Sequence, residues 1–265
     1  MKLTLSIKYK KNTGLLFSPA EVITLYLYGI EINATNGTKF SDEAYTYYVR
    51  EAQKTVENWF SVKIIKQLIT ESSSYYWDSY SQQFPIINTK YIVQRPLALI
   101  GLLKTIEQVR YPVEWLSYAK DPDQIGGRRI SIVPTGSGGM AANQDIILTG
   151  IVTQLGIQRF RNIPDYWNYQ YITGFDLDNL PWDLIGIIGK LATFGPLNIA
   201  GDLILGTAGI ASQSLSIDGL SQSISTTASA TSAGYNARLI NYGKEITETV
   251  KRIEGIYKGL QFEVL

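Results

Sequence analysis

The sequence contains no cysteine and no histidine. The first absence removes disulfides, thiolate catalysis and cysteine-based zinc sites. The second removes the commonest general base and the commonest transition-metal ligand. Any chemistry would have to run on carboxylates, lysine, tyrosine or serine. Charge is scarce too: Asp, Glu, Lys and Arg make up 18% of the residues, and the formal net charge is +1. So neutral a chain is not built to neutralise nucleic-acid phosphates wholesale. Long apolar runs are also missing. "MKLTLSIKYKKN" is basic but carries no signal-peptide core. Residues 184–201, "LIGIIGKLATFGPLNIAG", are interrupted by Lys190 and Pro196 and bounded by Asp183 and Asp202. A membrane span needs about 20 predominantly apolar residues, so this stretch reads as a pair of buried helices and no membrane partner is expected.

What the chain does have is enough length, 265 residues, for one large domain or two small ones. It has 18 tyrosines and 5 tryptophans, amphipathic aromatics that are favoured where one surface meets another.

Helical signals come first. "SPAE" at 18–21 is a capping box, with Ser18 as cap, Pro19 at the first helical position and Glu21 reaching back. The short helix it opens is expected to stop at Gly29. Ser41 caps a long helix over 42–69, with Asp42 and Glu43 near the positive end of its dipole. Its apolar positions run Tyr45, Tyr48, Ala52, Val56, Trp59 or Phe60, Ile64 and Leu68, a three-to-four spacing.

The character then changes. "TKYIVQRPLALIGLLKTIEQV" holds a strand-like piece around Pro96. "VEWLSYAKDPDQIGGRRISIVP" reads as strand, turn, strand, with Ile130, Ile132 and Pro134 on one side after Gly126-Gly127. "QDIILTGIVTQLG" and "DYWNYQYITGF" are further strand candidates, rich in β-branched and aromatic residues. Helices return at "PWDLIGIIGKLATFGPLNIAGDLIL" and at "NYGKEITETVKRIEGIYKGL", where Ile246, Val250, Ile253 and Tyr257 share a face. Helices, a β-rich middle of roughly 84–175, then helices: this order predicts an α+β fold rather than alternating α/β.

Three motifs invite chemistry, each beside a plainer reading. "PTGSGGM" at 134–140 suggests a phosphate loop, but Met140 and Ala141 stand where the Lys and Ser/Thr are required, which leaves a hairpin tip. "GFDLDNLPWD" gathers Asp176, Asp178 and Asp183 around Trp182. Paired acids beside an aromatic platform suit glycosidic bond hydrolysis or glycan binding; the plainer reading is a loop in which Asp178 or Asn179 caps a helix containing Pro181. A calcium loop is incomplete there. Arg128 and Arg129 offer a basic contact or, more plainly, a solvated edge strand. The cluster "SSYYWDSY", 73–80, is an exposed patch or the packed end of the long helix. No catalytic, metal-ligating or cofactor-binding set emerges, and no cofactor is expected.

The oddest stretch runs from Leu203 to Ala237. Asp218 is its one charged residue, and most of the rest is Ser, Thr, Ala and Gly with isolated Ile or Leu. It is too neutral for a solvated tail and too poor in large apolar side chains to fold alone, since each ordered residue costs about 1–2 kcal/mol of backbone entropy.

The run "SPAEVITLYLYGIEINATNGTKFSDEAYTYYVREAQKTVENWFSVKII" resembles the amino-terminal part of head–tail adaptor (connector) proteins of tailed bacteriophages. "IPDYWNYQYITGFDLDNLPWDLIGIIGKLA" is similar to their later segment, an aromatic strand, a "TGF" turn and a proline-initiated helix. The Ser-rich "GDLILGTAGIASQSLSIDGLSQSISTTASATSAGYNARLINY" is similar to a segment of phage structural proteins of this group. The likeness covers residues 15–70 and 160–245.

The resemblance implies a virion structural protein rather than an enzyme. Residues 1–83 and 176–265 would form a helical adaptor core, with an extended arm at about 206–236 and a β-rich insertion at 84–175. Copies of the chain would form a homo-oligomeric ring between the portal protein and tail or stopper proteins of the neck. DNA would pass through the lumen only transiently, and assembly would take place in the host cytoplasm. The arm would become ordered on assembly, by strand addition to a neighbour. Its candidate contact residues are Ile210, Leu215, Ile217, Leu220 and Ile224 as anchors, Asp218 and Gly219 as a turn, and Ser221, Gln222, Tyr235 and Arg238.

Overall fold

The structure, a computed structural model, describes residues 12–28, 30, 32–34, 37–76, 86–103, 107–118, 127–133, 161–176, 180–205, 212–217, 220–225 and 235–258. The fold is mixed α+β with a β-rich middle. It divides into two compact units: Met1–Phe60 with Leu177–Leu265, and Ser61–Asp176.

The first unit is helical. Helix α1, Pro19–Tyr26, opens with the expected capping box: Glu21 N donates to Ser18 Oγ (3.4 Å) and Ser18 N donates to Glu21 Oε2 (2.7 Å). Its last amide bond runs from Leu27 N to Val22 O, so it closes earlier than Gly29, which lies outside the described residues. Helix α2, Asp42–Phe60, is capped by Ser41, whose Oγ accepts from Ala44 N at 3.2 Å.

Helix α2 ends at Phe60, well short of the predicted limit at Ile69. Ser61 turns into the left-handed region (φ 49°), a common way to leave a helix, and Gln67–Tyr76 is a strand. The sequence continues the apolar spacing through Ile64 and Leu68, but Ile64 is buried outside any helix and Leu68 is exposed on the strand. Within the helix, Phe60 is fully buried and Trp59 is 41% exposed, which decides between the two. Sequence reasoning also missed Gln53 on the buried face. Its Oε1 accepts from Leu16 N (2.9 Å) and its Nε2 donates to Gly14 O (3.0 Å), which fastens the segment holding Leu16 and Phe17 to α2.

Helices α3, Trp182–Ala192, and α4, Phe194–Leu205, are the expected pair. Pro181 precedes α3 rather than lying inside it, and Asp178 and Asn179 are outside the described residues. By length and composition, residues 182–201 could cross a membrane. Here they break at Thr193, whose Oγ1 donates to Lys190 O (2.7 Å), and Leu184, Ile187, Ile188, Leu197 and Ala200 are buried. Helix α3 is central, packed against α1, α2, α4 and helix α5, Asn236–Lys258. Glycines allow close approach: a Cβ on Gly189 of α3 would run into the Tyr26 ring of α1, and one on Gly195 of α4 into the Tyr48 ring of α2. Ile246, Ile253 and Tyr257 of α5 are buried on the predicted face.

Burial pushes the Tyr26 hydroxyl up to about 12, with a further rise from Tyr242 nearby; burial and then Asp183 take Tyr257 to about 12. A folded value above the ordinary 10 means that the stability these groups add is complete below about pH 10. It is lost as pH climbs from 10 towards 12. We expect the thermal midpoint to fall across that window, and Tyr26→Phe with Tyr257→Phe to flatten the fall.

The second unit holds two antiparallel sheets. One has the order β1 (Gln67–Tyr76), β7 (Asn162–Thr173), β3 (Arg95–Leu103), β4 (Glu107–Tyr111); the other has β2 (Ile86–Asn88), β6 (Arg129–Ile132), β5 (Leu116–Tyr118). Strand β6 pairs on both sides, so it is a central strand and not the expected edge. Ile130 and Ile132 are both buried, as predicted; Pro134 lies outside the described residues. Pro96 sits beside a break in the β3–β7 ladder, the kind of position where a residue without an N–H is tolerated. In "SSYYWDSY", Tyr75 points into the core and Tyr76 out of it, on β1 rather than at a helix end.

The core is aromatic: Tyr75, Tyr111, Tyr166, Trp167, Tyr169 and Tyr171 pack with Ile87, Leu99, Ile130 and Ile132. A bulge makes this possible. The β1–β7 register slips between Ser73 and Tyr75, and on β7 Asp165 adopts φ 51° with its carboxylate accepting from Ser72 Oγ (3.1 Å). Adjacent residues Tyr166 and Trp167 are consequently both buried. Beyond the bulge, the Glu71 carboxylate accepts from Tyr171 (2.9 Å), Tyr169 (3.2 Å) and Lys90 N (3.1 Å). Burial, and then this bond to Glu71, raise the Tyr171 hydroxyl well above its ordinary value. At the end of β7, Gly174 has φ 92° and passes Ile65 O so closely that a Cβ would lie 2.5 Å from it.

Candidate functional site

Among the described residues, the low-charge segment holds two strands, β8 (Ser212–Ile217) and β9 (Leu220–Ser225). They form an antiparallel hairpin, with Ile217 opposite Leu220, Leu215 opposite Gln222, Ser216 opposite Ser221 and Gln213 opposite Ile224. This places six of the candidate contact residues, Leu215, Ile217, Leu220, Ser221, Gln222 and Ile224, in one small sheet. Asp218 and Gly219, between the strands, lie outside the described residues, as does Ile210.

The hairpin joins neither of the other sheets. An isolated two-stranded sheet is marginal in water. Its stability therefore has to come from something added to it.

Tyr235 and Arg238 belong to the start of α5. The Tyr235 carbonyl accepts from Arg238 N (3.0 Å) and Leu239 N (3.2 Å), which forms the first turn. Arg238 is half-buried, and its Nη1 has no hydrogen-bond partner among the described residues. A guanidinium at a helix N-terminus is on the unfavourable side of the dipole.

The acidic candidates are held in separate ways. Lys66 Nζ lies 2.7 Å from Asp176 Oδ1, and Arg252 Nη2 lies 2.7 Å from Asp183 Oδ1. Asp178 is outside the described residues, and no group of three or more acidic side chains that could hold a metal occurs among those described. The "PTGSGGM" loop is also outside them.

One feature of the helical unit escaped sequence reasoning. Helices α3 and α5 flank a groove of about 250 Å³ lined by Trp182, Asp183, Lys190, Glu245, Thr249 and Arg252. Lys190 pairs with Glu245 and Arg252 with Asp183 along it. Trp182 stands at its rim, 68% exposed. Exposed pairs of this kind contribute roughly 0–1 kcal/mol each, so they orient the helices more than they stabilise them. The signal in the sequence was the tryptophan at the helix start, weighed there as a sugar platform beside the plainer reading of a loop and helix start.

No protein-family model and no curated protein sequence matches the chain. Among solved structures, it is similar to a chain of the "Neck of empty GTA particle computed with C6 symmetry", with a TM-score of 0.39 and 17% identity over 67% of this chain and 77% of that one.

Proposed function

We propose that this chain is a structural subunit of the neck of a tailed-bacteriophage particle. Many copies form a head–tail adaptor ring between the portal protein and the tail or stopper proteins, and DNA passes through its lumen. The chain works by binding its neighbours and catalyses no reaction. It assembles in the host cytoplasm and stays in the virion.

One observation carries this reading. The two stretches that resemble adaptor proteins are far apart in sequence, yet their helical parts pack into a single unit, with Tyr26 of α1 donating to Ile185 O of α3 (3.4 Å) and the Tyr26 ring seated on Gly189. The same unit contains the hairpin, whose two strands carry no charge. A ring made by repeating one head-to-tail contact needs two complementary surfaces on every copy. A hairpin whose strands have no further ladder partner among the described residues supplies one of them.

Imaging of the purified protein, alone and mixed with neck components, tests the reading: closed rings are expected. A persistent monomer that cleaves a polysaccharide would overturn it. Replacing Asp176, Asp178 and Asp183 together with Asn should leave ring formation intact. Deleting residues 212–234 should leave the subunit folded with little change in thermal midpoint, yet abolish incorporation into particles. A large drop in midpoint would instead assign the hairpin to the subunit's own core.

A further inference from the structure

The hairpin register sorts its residues by face. Successive residues of a strand lie on opposite faces, and directly paired residues share one. Ser212, Ser214 and Ser216 pair with Ser225, Ser223 and Ser221, so every position on one face is serine. The other face holds Gln213, Leu215 and Ile217 opposite Ile224, Gln222 and Leu220.

Each strand also has an outer edge without a ladder partner among the described residues. Sheets guard such edges with charge, proline, bulges or short strands. The four-stranded sheet does so: β1 carries Glu71 and a bulge, and β4 is five residues long with Glu107 and Arg110. Strands β8 and β9 contain no charge and no proline, and their register runs unbroken over six pairs. An edge with no guard is one that is meant to be paired.

We propose that the occupant of these edges is the same hairpin of neighbouring copies of this chain. Strand β9 of one copy pairs with β8 of the next, and the ring closes into a barrel. Repeating a single rotation keeps all hairpins parallel to one another. Each joint is then an antiparallel β9–β8 pair, the same kind of ladder as within the hairpin. Both edges are neutral, so no like charges meet at the joint.

Faces fix the register. A slip by one residue would set serines against Leu215 and Ile217, so joints are confined to pairings that keep serine opposite serine. Barrels of many strands enclose water. The serine face therefore lines the lumen, and the face with Leu215, Ile217, Leu220 and Ile224 turns to the surrounding protein. A lumen of hydroxyls offers no cation to a passing phosphate backbone.

This inference rests on the ring reading, and one experiment separates the two. The chain has no native cysteine, so any disulfide is defined by design. Full-length Ser214→Cys is mixed before assembly, in turn, with Ser221→Cys, Ser223→Cys or Ser225→Cys, then oxidised, while particle mass is measured in parallel. Rings are expected in every mixture, and in at least one a large share of chains, with a ceiling of half under random 1:1 mixing, should run as covalent dimers. The mixture with Gln222→Cys, on the opposite face, should give at least tenfold fewer. Rings without dimers in any serine mixture would overturn the barrel and leave the ring standing. Absence of rings would overturn both.

Discussion

Replacing Trp167 with alanine removes about 3–5 kcal/mol from the stability of the β-rich unit. The indole is fully buried on β7, the strand that pairs with both β1 and β3. Its ring lies 4.7 Å from Tyr166, 5.5 Å from Tyr111 and 6.2 Å from Tyr75, so three aromatic side chains lose their common neighbour. A domain of this size is held by roughly 5–15 kcal/mol in all, so the variant loses a large fraction of the unit's stability. Urea unfolding followed by far-UV circular dichroism measures the loss. Tyr76→Ala, next to a core residue but on the exposed side, is the matched control and should cost less than about 1 kcal/mol. A small loss at Trp167 would mean that the bulge at Asp165 does not turn both Tyr166 and Trp167 inward.

The second large effect separates two adjacent aromatics. Phe60→Ala should destabilise the helical unit by about 3–5 kcal/mol, as large-to-small changes in a core do. Trp59→Ala, one position earlier, should cost about 1 kcal/mol or less. Phe60 is fully buried and its ring lies 5.6 Å from Tyr257 of α5, whereas Trp59 is on the outer side of α2. Hydrogen exchange on α2 and α5 reads both variants in the same experiment. If the order is reversed, the helix is rotated by about 100° from the orientation described, the angle one residue subtends at 3.6 residues per turn.

Features set by neighbouring residues were legible in the sequence. The Ser18–Glu21 box, the Ser41 cap, the paired burial of Ile130 and Ile132, and the face of Ile246, Ile253 and Tyr257 all depend on contacts within a few positions. The end of α2 was not legible. Ile64 and Leu68 continue the helical spacing, and what ends the helix is the pairing of β1 with β7, about a hundred residues further on. The inward turn of both Tyr166 and Trp167 was hidden too, since strict alternation separates neighbours and only the bulge reunites them. At the candidate site, alternating serines are visible in the sequence of each strand. That they form a single face follows only from the pairing of Ser212 with Ser225, a register no propensity supplies.

The order of the units along the chain has a consequence for synthesis. Ile65 and Phe175 form an isolated bridge, with Phe175 N donating to Ile64 O at 3.2 Å, so the β-rich unit begins and ends at one clasp. That unit can finish folding as soon as Phe175 leaves the ribosome. Helices α1 and α2, made first, cannot: their central partner α3 is encoded after the whole inserted unit. At 5–20 residues per second, the wait is roughly 6–23 s. Throughout it, the buried face of α2, with Val49, Val56 and Phe60, lacks the cover that α3 and α5 give it. The nascent chain is therefore a natural chaperone client in that interval, and excising Ser61–Asp176 in favour of a short linker would shorten the exposure.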